Sequence, residues 1–229
     1  MSSIAHGHYE WATRPSFFTM NRNMKKLIQG IVDFRKNLTE EGRSLFAELA
    51  LGQKPDALFV ACSDSRVVPN LFASTNPGDL FVLRNIGNLI PPASATVQDS
   101  SASAVIEFSI FSLNVSDIII CGHSECGAIQ ALTQGIDGVS CPHLASWLKY
   151  GEESLNKVIN GYVINPALSF HNQVSQVNVI QQMEHVKSYP FVKERLEKKQ
   201  LRVHGWWFDI AHAEVYCYER SLKQFILVE

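Results

Sequence analysis

The sequence predicts an α/β fold: a mostly parallel central sheet flanked by helices, with an antiparallel edge hairpin at the C-terminus and a helical arm at the N-terminus. Three observations carry that expectation. Short apolar runs at residues 57–61, 80–83 and 117–121 alternate with stretches of helical periodicity, and such alternation implies right-handed crossovers and a parallel sheet covered on both faces. Near the C-terminus, LRVHGWWFDI and AEVYCYE turn to aromatic and β-branched residues with a short gap between them, the pattern of an antiparallel hairpin. Near the N-terminus, Met24, Leu27, Ile28, Ile31, Phe34 and Leu38 recur at helical spacing, so residues 21–38 read as an amphipathic helix.

The remaining elements follow in order. Residues 1–20 have no such period, yet Trp11, Phe17 and Phe18 are too apolar to rest in water. With the first helix they form an arm, residues 1–38, expected to pack on a partner subunit. Thr39 is placed to cap a second helix whose inner face carries Leu45, Phe46, Leu49 and Ala50. Between the second and third apolar runs, SASAVIEFSIFSLN is helix-like, and beyond the third run residues 125–133, 143–159 and 168–187 read as helices. No repeat, low-complexity stretch or linker interrupts the chain, so residues 1–229 read as one domain.

Composition narrows the function. Twenty Lys and Arg against 22 Asp and Glu give a net charge of -2, which leaves no basic surface for nucleic acid. The N-terminus lacks a cationic stretch followed by an apolar core, and no later segment has the apolar length of a membrane span. The expectation is a cytoplasmic protein with no membrane partner. Cysteines occur at 62, 121, 126, 141 and 217; an odd number cannot pair fully within one chain, and a reducing compartment disfavours disulfides. Free thiols or metal ligands remain.

The chemistry is concentrated where the apolar runs stop. ACSDSRVVP places Cys62, Asp64 and Arg66 at alternate positions just after the first run, and CGHSECGA places His123 and Cys126 just after the third. In a parallel sheet both segments end at the carboxyl edge, where crevices form, so residues 61 apart in sequence can meet. A Cys, His, Cys set suits zinc, and three ligands leave a fourth tetrahedral position for water or substrate. Each signal alone is weak: buried free cysteines are common, and Asp64 with Arg66 could be a surface ion pair worth little. Their joint occurrence at two strand ends favours the metal. Cys121, Cys141 and Cys217 read as buried or inert thiols, Cys121 being the nearby one that could supply a fourth ligand if it did not point into the sheet packing. His6 and His8 belong to the arm.

CSDSR, RNIGN at residues 84–88 and HSEC together resemble the β-class carbonic anhydrases, with similarity from about residue 25 to the C-terminus and densest from Gln53 to Gly127. The resemblance implies one Zn2+ per chain held by Cys62, His123 and Cys126. It also implies a catalytic dyad of Asp64 and Arg66, and reversible hydration of carbon dioxide to bicarbonate and a proton. Asp64 would accept a hydrogen bond from the attacking water, and Arg66 would hold that carboxylate ionised and turned.

The plant-type members suggest a substrate pocket. Gln53, nine residues before Cys62, matches a glutamine that contacts substrate oxygen; Phe81 and Ile86 match apolar wall positions; Gly127 offers a backbone N–H. Phe108 stands where many members carry a tyrosine, which removes a hydroxyl. Core packing is the competing account of Phe81, Ile86 and Phe108. The bicarbonate-switched members carry a tryptophan three residues before the first zinc cysteine. Here that position is Phe59, with only Arg84 retained, so no switch that moves Asp64 onto the metal is expected. By the same resemblance the assembly is a homodimer or a dimer-based tetramer. A non-catalytic zinc scaffold of the same fold, or a hydrolase of carbonyl sulfide or carbon disulfide, remains an alternative. His143, His171, His185, His204 and His212 are unranked candidates for moving the proton out.

Overall fold

The computed structural model describes residues 21–95 and 100–229; Trp11, Phe17, Phe18, His6 and His8 lie outside the described residues. Two compact units are present, one ending at Leu51 and one spanning Gly52–Glu229. In the first, α1 (Arg22–Asn37) starts at Asn21, whose side chain accepts from the Met24 amide at 2.9 Å. The second helix, α2 (Glu40–Leu49), is capped as expected by Thr39, which accepts from the Gly42 amide at 3.2 Å. Phe34 and Phe46 meet edge to face at 6.1 Å, and Leu27, Ile31 and Phe34 are exposed.

The second unit is built on a six-stranded sheet in the order β2-β1-β3-β4-β5-β6, from β1 (Ala57–Cys62), β2 (Leu80–Asn85), β3 (Asp117–His123), β4 (Arg202–Asp209), β5 (Glu214–Glu219) and β6 (Gln224–Leu227). The first four strands in that order run parallel and the last two antiparallel. The three apolar runs are strands as expected, each carried a little further at its C-terminal end. Alternation divides the core. Leu58 and Val60 join Ile118, Ile120 and Val203 on one face; Ala57, Phe59 and Ala61 join Ile119, Cys121 and Phe208 on the other.

Helices cover both faces. They are α3 (Pro69–Phe72), α4 (Ser100–Phe111), α5 (Gly127–Gln134), α6 (Pro142–Leu148), α7 (Glu152–Ile159), α8 (Phe170–Lys187) and α9 (Pro190–Glu197). Central among them is α8, which is buried nearly all round and carries buried Asn172, Ser175, Gln176, Asn178, Gln181 and Gln182. It presses on the sheet at two glycines: a Cβ at Gly122 would lie 2.6 Å from Val179, and one at Gly205 would lie 2.7 Å from the Met183 sulfur. No larger residue fits that approach.

Three details depart from the sequence expectation. Residues 143–159 do not form one helix; a 3-10 turn at Lys149–Gly151 separates α6 from α7, with Gly151, a poor helix former, seated against Leu132. The C-terminal hairpin gains a third strand, so β6 rather than β5 forms the edge. α9 was not expected, although Pro190 sits at its first turn, where a missing N–H is harmless. Among the described residues, no helix is long and apolar enough to cross a membrane.

Gly122→Ala should expose how tightly α8 is seated. The added methyl should destabilise the fold by about 1–3 kcal/mol through overpacking, read as a lower urea midpoint. An unchanged midpoint would mean that α8 can withdraw from the sheet freely.

Candidate active site

Parallel pairing in register sets Ala61 opposite Cys121, so Cys62 and His123 end neighbouring strands one step apart. Beyond His123 the chain turns through Glu125, a non-glycine residue at φ +55°, and delivers Cys126 to the start of α5. Such a backbone is held only when its surroundings insist on it. Asn172 on α8 accepts from the Glu125 amide at 2.8 Å and donates to its carboxylate at 2.9 Å. Arg66 donates to the Glu125 carbonyl at 3.0 Å, and His171 pairs with its carboxylate at 3.0 Å.

One ligand atom from each of Cys62, His123 and Cys126 lies within 4.8 Å of the others, and all three residues are buried. The two sulfurs are 4.0 Å apart. His123 Nδ1 lies 2.8 Å from the Ser124 carbonyl, which places the ring hydrogen on Nδ1 and leaves Nε2 as an acceptor. That Nε2 is buried with no hydrogen-bond partner among the described residues. An orphaned buried acceptor costs roughly 1–3 kcal/mol, a penalty that a cation bound at the lone pair removes. Two sulfurs and an imidazole nitrogen fit a metal of borderline softness.

Ionisation agrees with that fit. The hydrogen bond from Cys126 pulls the Cys62 thiol down to about 4 against the opposing effect of burial, with help from the Gly87 and Asp64 amides. The Cys62 sulfur and burial push Cys126 up. Two sulfurs thus share one proton and one negative charge. Cys121 stands apart: its sulfur faces the Gly122 carbonyl at 3.4 Å within the sheet core, and burial pushes its thiol up. Cys141 is exposed and Cys217 half-buried.

Asp64 and Arg66 form a bidentate pair, with Arg66 Nε donating to Oδ1 at 2.9 Å and its terminal nitrogen to Oδ2 at 2.7 Å. The Arg66 amide adds a bond to Oδ1 at 3.0 Å. These donors hold the Asp64 carboxyl well below the usual carboxylate range. Both carboxylate oxygens are turned to Arg66, and Asp64 is not part of the ligand cluster. Arg84 braces the segment from behind, donating to the Cys62 carbonyl at 3.1 and 2.9 Å and to the Asp64 carbonyl at 2.7 Å.

The five pocket positions divide. Ile86 lies one residue from Gly87, whose amide donates to the Cys62 sulfur at 3.3 Å, and lines a crevice of about 280 Å³ with Ser63, Arg84, Asn85, Ala102 and Trp147. Gly127 opens α5 beside Cys126, with nothing within 4 Å of where a Cβ would sit. The other three are not brought to the cluster within one chain. Asn85 pairs with Cys62 while Phe81 pairs with Leu58, which puts Phe81 roughly 13 Å back along the strand. Phe108 packs on Phe81 at 5.7 Å and is exposed, and exposed Gln53 precedes the opposite end of β1. Phe59 is fully buried and meets Trp206 edge on at 5.7 Å.

The histidines are scattered. His171 sits against Glu125, while His185 bonds the Ile90 carbonyl at 2.7 Å within the α8 core. His204 pairs with Asp117 at the far end of β3, His212 with Asp209, and His143 is exposed. Sequence reasoning missed the bracing roles of Glu125 and Asn172. Their contact joins segments 47 residues apart, and the signal available was the density of Asn and Gln in a helix long enough to cross the core.

A family model described as carbonic anhydrase matches residues 57–215. A carbonic anhydrase of Synechocystis sp. is 36% identical over 205 residues, covering 89% of this chain and 74% of that protein. One from Helicobacter pylori is 35% identical over 197 residues, covering 82% and 87%. Among solved structures, the β-carbonic anhydrase CcaA aligns with a TM-score of 0.84 at 34% identity, over 91% of this chain and 93% of that one. A tetrameric β-carbonic anhydrase of Sordaria macrospora aligns at 0.75 and 28% identity, over 86% and 97%. The matched segment contains Cys62, Asp64, Arg66, His123 and Cys126, and its structural neighbours are β-class enzymes, so this chain belongs to the carbonic anhydrase family, in its β class.

Proposed function

We propose that this enzyme holds one zinc ion per chain through Cys62, His123 and Cys126 and catalyses reversible hydration of carbon dioxide to bicarbonate and a proton. The buried, unpartnered His123 Nε2 beside two sulfurs is the observation that carries the reading. Zinc is favoured because mixed nitrogen and thiolate donors at three positions suit its tetrahedral preference and leave one position open. When bound, the ion supplies a Lewis acid that acidifies the attacking water.

The protein groups do the rest. Asp64 accepts a hydrogen bond from the attacking water and turns its lone pair toward the substrate carbon. Arg66 keeps that carboxylate ionised and fixed in angle. Ile86 offers carbon dioxide an apolar wall, and the Gly127 amide stands ready for an oxygen of the substrate. Gln53, Phe81 and Phe108 serve the pocket from a second copy of the chain, since all three lie toward the other end of the strands. The exposed Leu27, Ile31 and Phe34 of α1 support a homodimer or dimer-based tetramer. The chain acts as one functional domain with an N-terminal arm, in the cytoplasm. It groups with the plant-type members, because Phe59 fills the position of the switch tryptophan and both Asp64 oxygens are engaged by Arg66.

Stopped-flow hydration of carbon dioxide across pH, with zinc counted per chain, tests the reading. Activity with one zinc per chain is expected; zinc without hydration at any pH would leave a scaffold. Asp64→Asn should keep its zinc yet lose turnover on the order of 100-fold or more, whereas Cys62→Ser should lose the metal. Wild-type turnover in Asp64→Asn would overturn the role given to that carboxylate.

The depressed Asp64 value also predicts a pH dependence. Stability from a carboxylate whose folded value is lowered is fully present above the unfolded value of about 3.9 and fades as pH falls toward the folded one. The stability gap between wild type and Asp64→Asn should therefore be flat from about pH 5 to 8 and narrow below about pH 4. Urea titrations at each pH would measure it, and a gap undiminished in acid would rule out an ionised pair.

A further inference from the structure

The peptide between Ile86 and Gly87 is held from both edges. Its N–H, that of Gly87, donates to the Cys62 sulfur at 3.3 Å. Its carbonyl, that of Ile86, accepts from the indole N–H of Trp147 at 2.7 Å. Trp147 is half-buried on α6, 61 residues away in sequence, and meets the Tyr150 ring edge on at 5.4 Å. The next carbonyl, that of Gly87, accepts from the buried Asn178 of α8 at 3.2 Å, and Asn178 in turn accepts from Gln182 at 2.9 Å and Ser154 at 3.3 Å. Gly87 itself has φ +77°, and a Cβ there would lie 3.0 Å from that of Ala128. The turn can present its amide to the sulfur only as glycine.

We propose that Trp147 is a positioning residue for the metal centre: acting through the Ile86–Gly87 peptide, it aims and polarises the amide hydrogen bond on the Cys62 sulfur. This sets how strongly that sulfur donates to a bound cation, with Asn178 fixing the following peptide. The inference rests on the metal reading above and deepens it.

The physical route is short. In a trans peptide the N–H and C=O point in opposite directions across a conjugated bond, so a donor on the oxygen draws electron density from the nitrogen and strengthens its N–H as a donor. Hydrogen bonds in such chains reinforce one another by roughly 10–30% per bond. An N–H bond to a thiolate stabilises the sulfur lone pairs and weakens their donation. Removing the indole N–H leaves the sulfur richer in electrons. Outer partners of this kind are known to tune metal ligands without touching the metal.

Cobalt(II) loaded into the full chain reports on the sulfur directly, through the sulfur-to-cobalt charge-transfer absorption in the near ultraviolet. Wild type, Trp147→Phe and, as a control, Lys149→Ala on the adjoining exposed turn would be compared, with thermal unfolding recorded in parallel. Trp147→Phe keeps an aromatic ring beside Tyr150 and loses the donor along with part of the ring's bulk. Its band should move to longer wavelength than in wild type and Lys149→Ala. An unmoved band, even with a lowered melting temperature, makes Trp147 merely structural and overturns the inference. Failure of wild type to bind cobalt overturns the metal reading instead. Should Trp147→Phe not fold, a metal-loaded crystal structure of wild type decides the matter. Both contacts intact supports the proposal; an indole beyond hydrogen-bond reach of Ile86, or a Gly87 amide turned from the sulfur, defeats it.

Discussion

Parallel pairing of β1 with β3 is the constraint on which the rest depends. Both strands must run in the same direction, and in this register, for Cys62 and His123 to end side by side. A slip of one residue would exchange the Leu58/Val60 set with the Ala57/Phe59/Ala61 set between two differently packed cores and carry the thiol away from the imidazole. The fully buried β1 makes that slip prohibitive. The same packing that gives the domain its core therefore fixes the spacing of Cys62 and His123, while Cys126 depends on the braced turn at Glu125.

A second level of support comes from α8. An ordinary surface helix would turn its polar residues to water, but here Asn172, Asn178, Gln181 and Gln182 are buried. Three of them are spent on loops that lack regular hydrogen bonds, Asn172 on the strained turn at Glu125, Asn178 on the turn at Gly87 and Gln182 on the Ile90 amide at 2.8 Å, while Gln181 ties α8 to Glu153 and Lys157 of α7. Buried amides satisfied in this way rigidify what they touch. The irregular backbone around the two sulfurs is accordingly tied to the helix that crosses the core.

What was legible in the sequence follows from the same physics. Cys62, Asp64, Arg66, His123 and Cys126 stand out because reactive groups break off apolar runs where a core would reject them, and parallel topology leaves them one edge to share. The three strands and the Thr39 cap were legible because period and capping act over a few residues. The break at Lys149–Gly151, the third strand of the C-terminal extension and α9 were not, since each is decided by what packs against it. The left-handed Glu125 is invisible for a related reason: its cost is met by Arg66 and Asn172, distant in sequence. Position along a strand also escapes motif reading, which is why Gln53, Phe81 and Phe108 fall far from the cluster within one chain.

Arg84 carries a consequence for anyone sorting variants. One guanidinium grips the carbonyl of Cys62 and the carbonyl of Asp64 together. A sulfur donor and the carboxylate beside it are thereby mounted on a single bracket. A change at Arg84 disturbs both at once, so its phenotype will not divide into a binding defect and a turnover defect. The genetics of that codon is pleiotropic by construction.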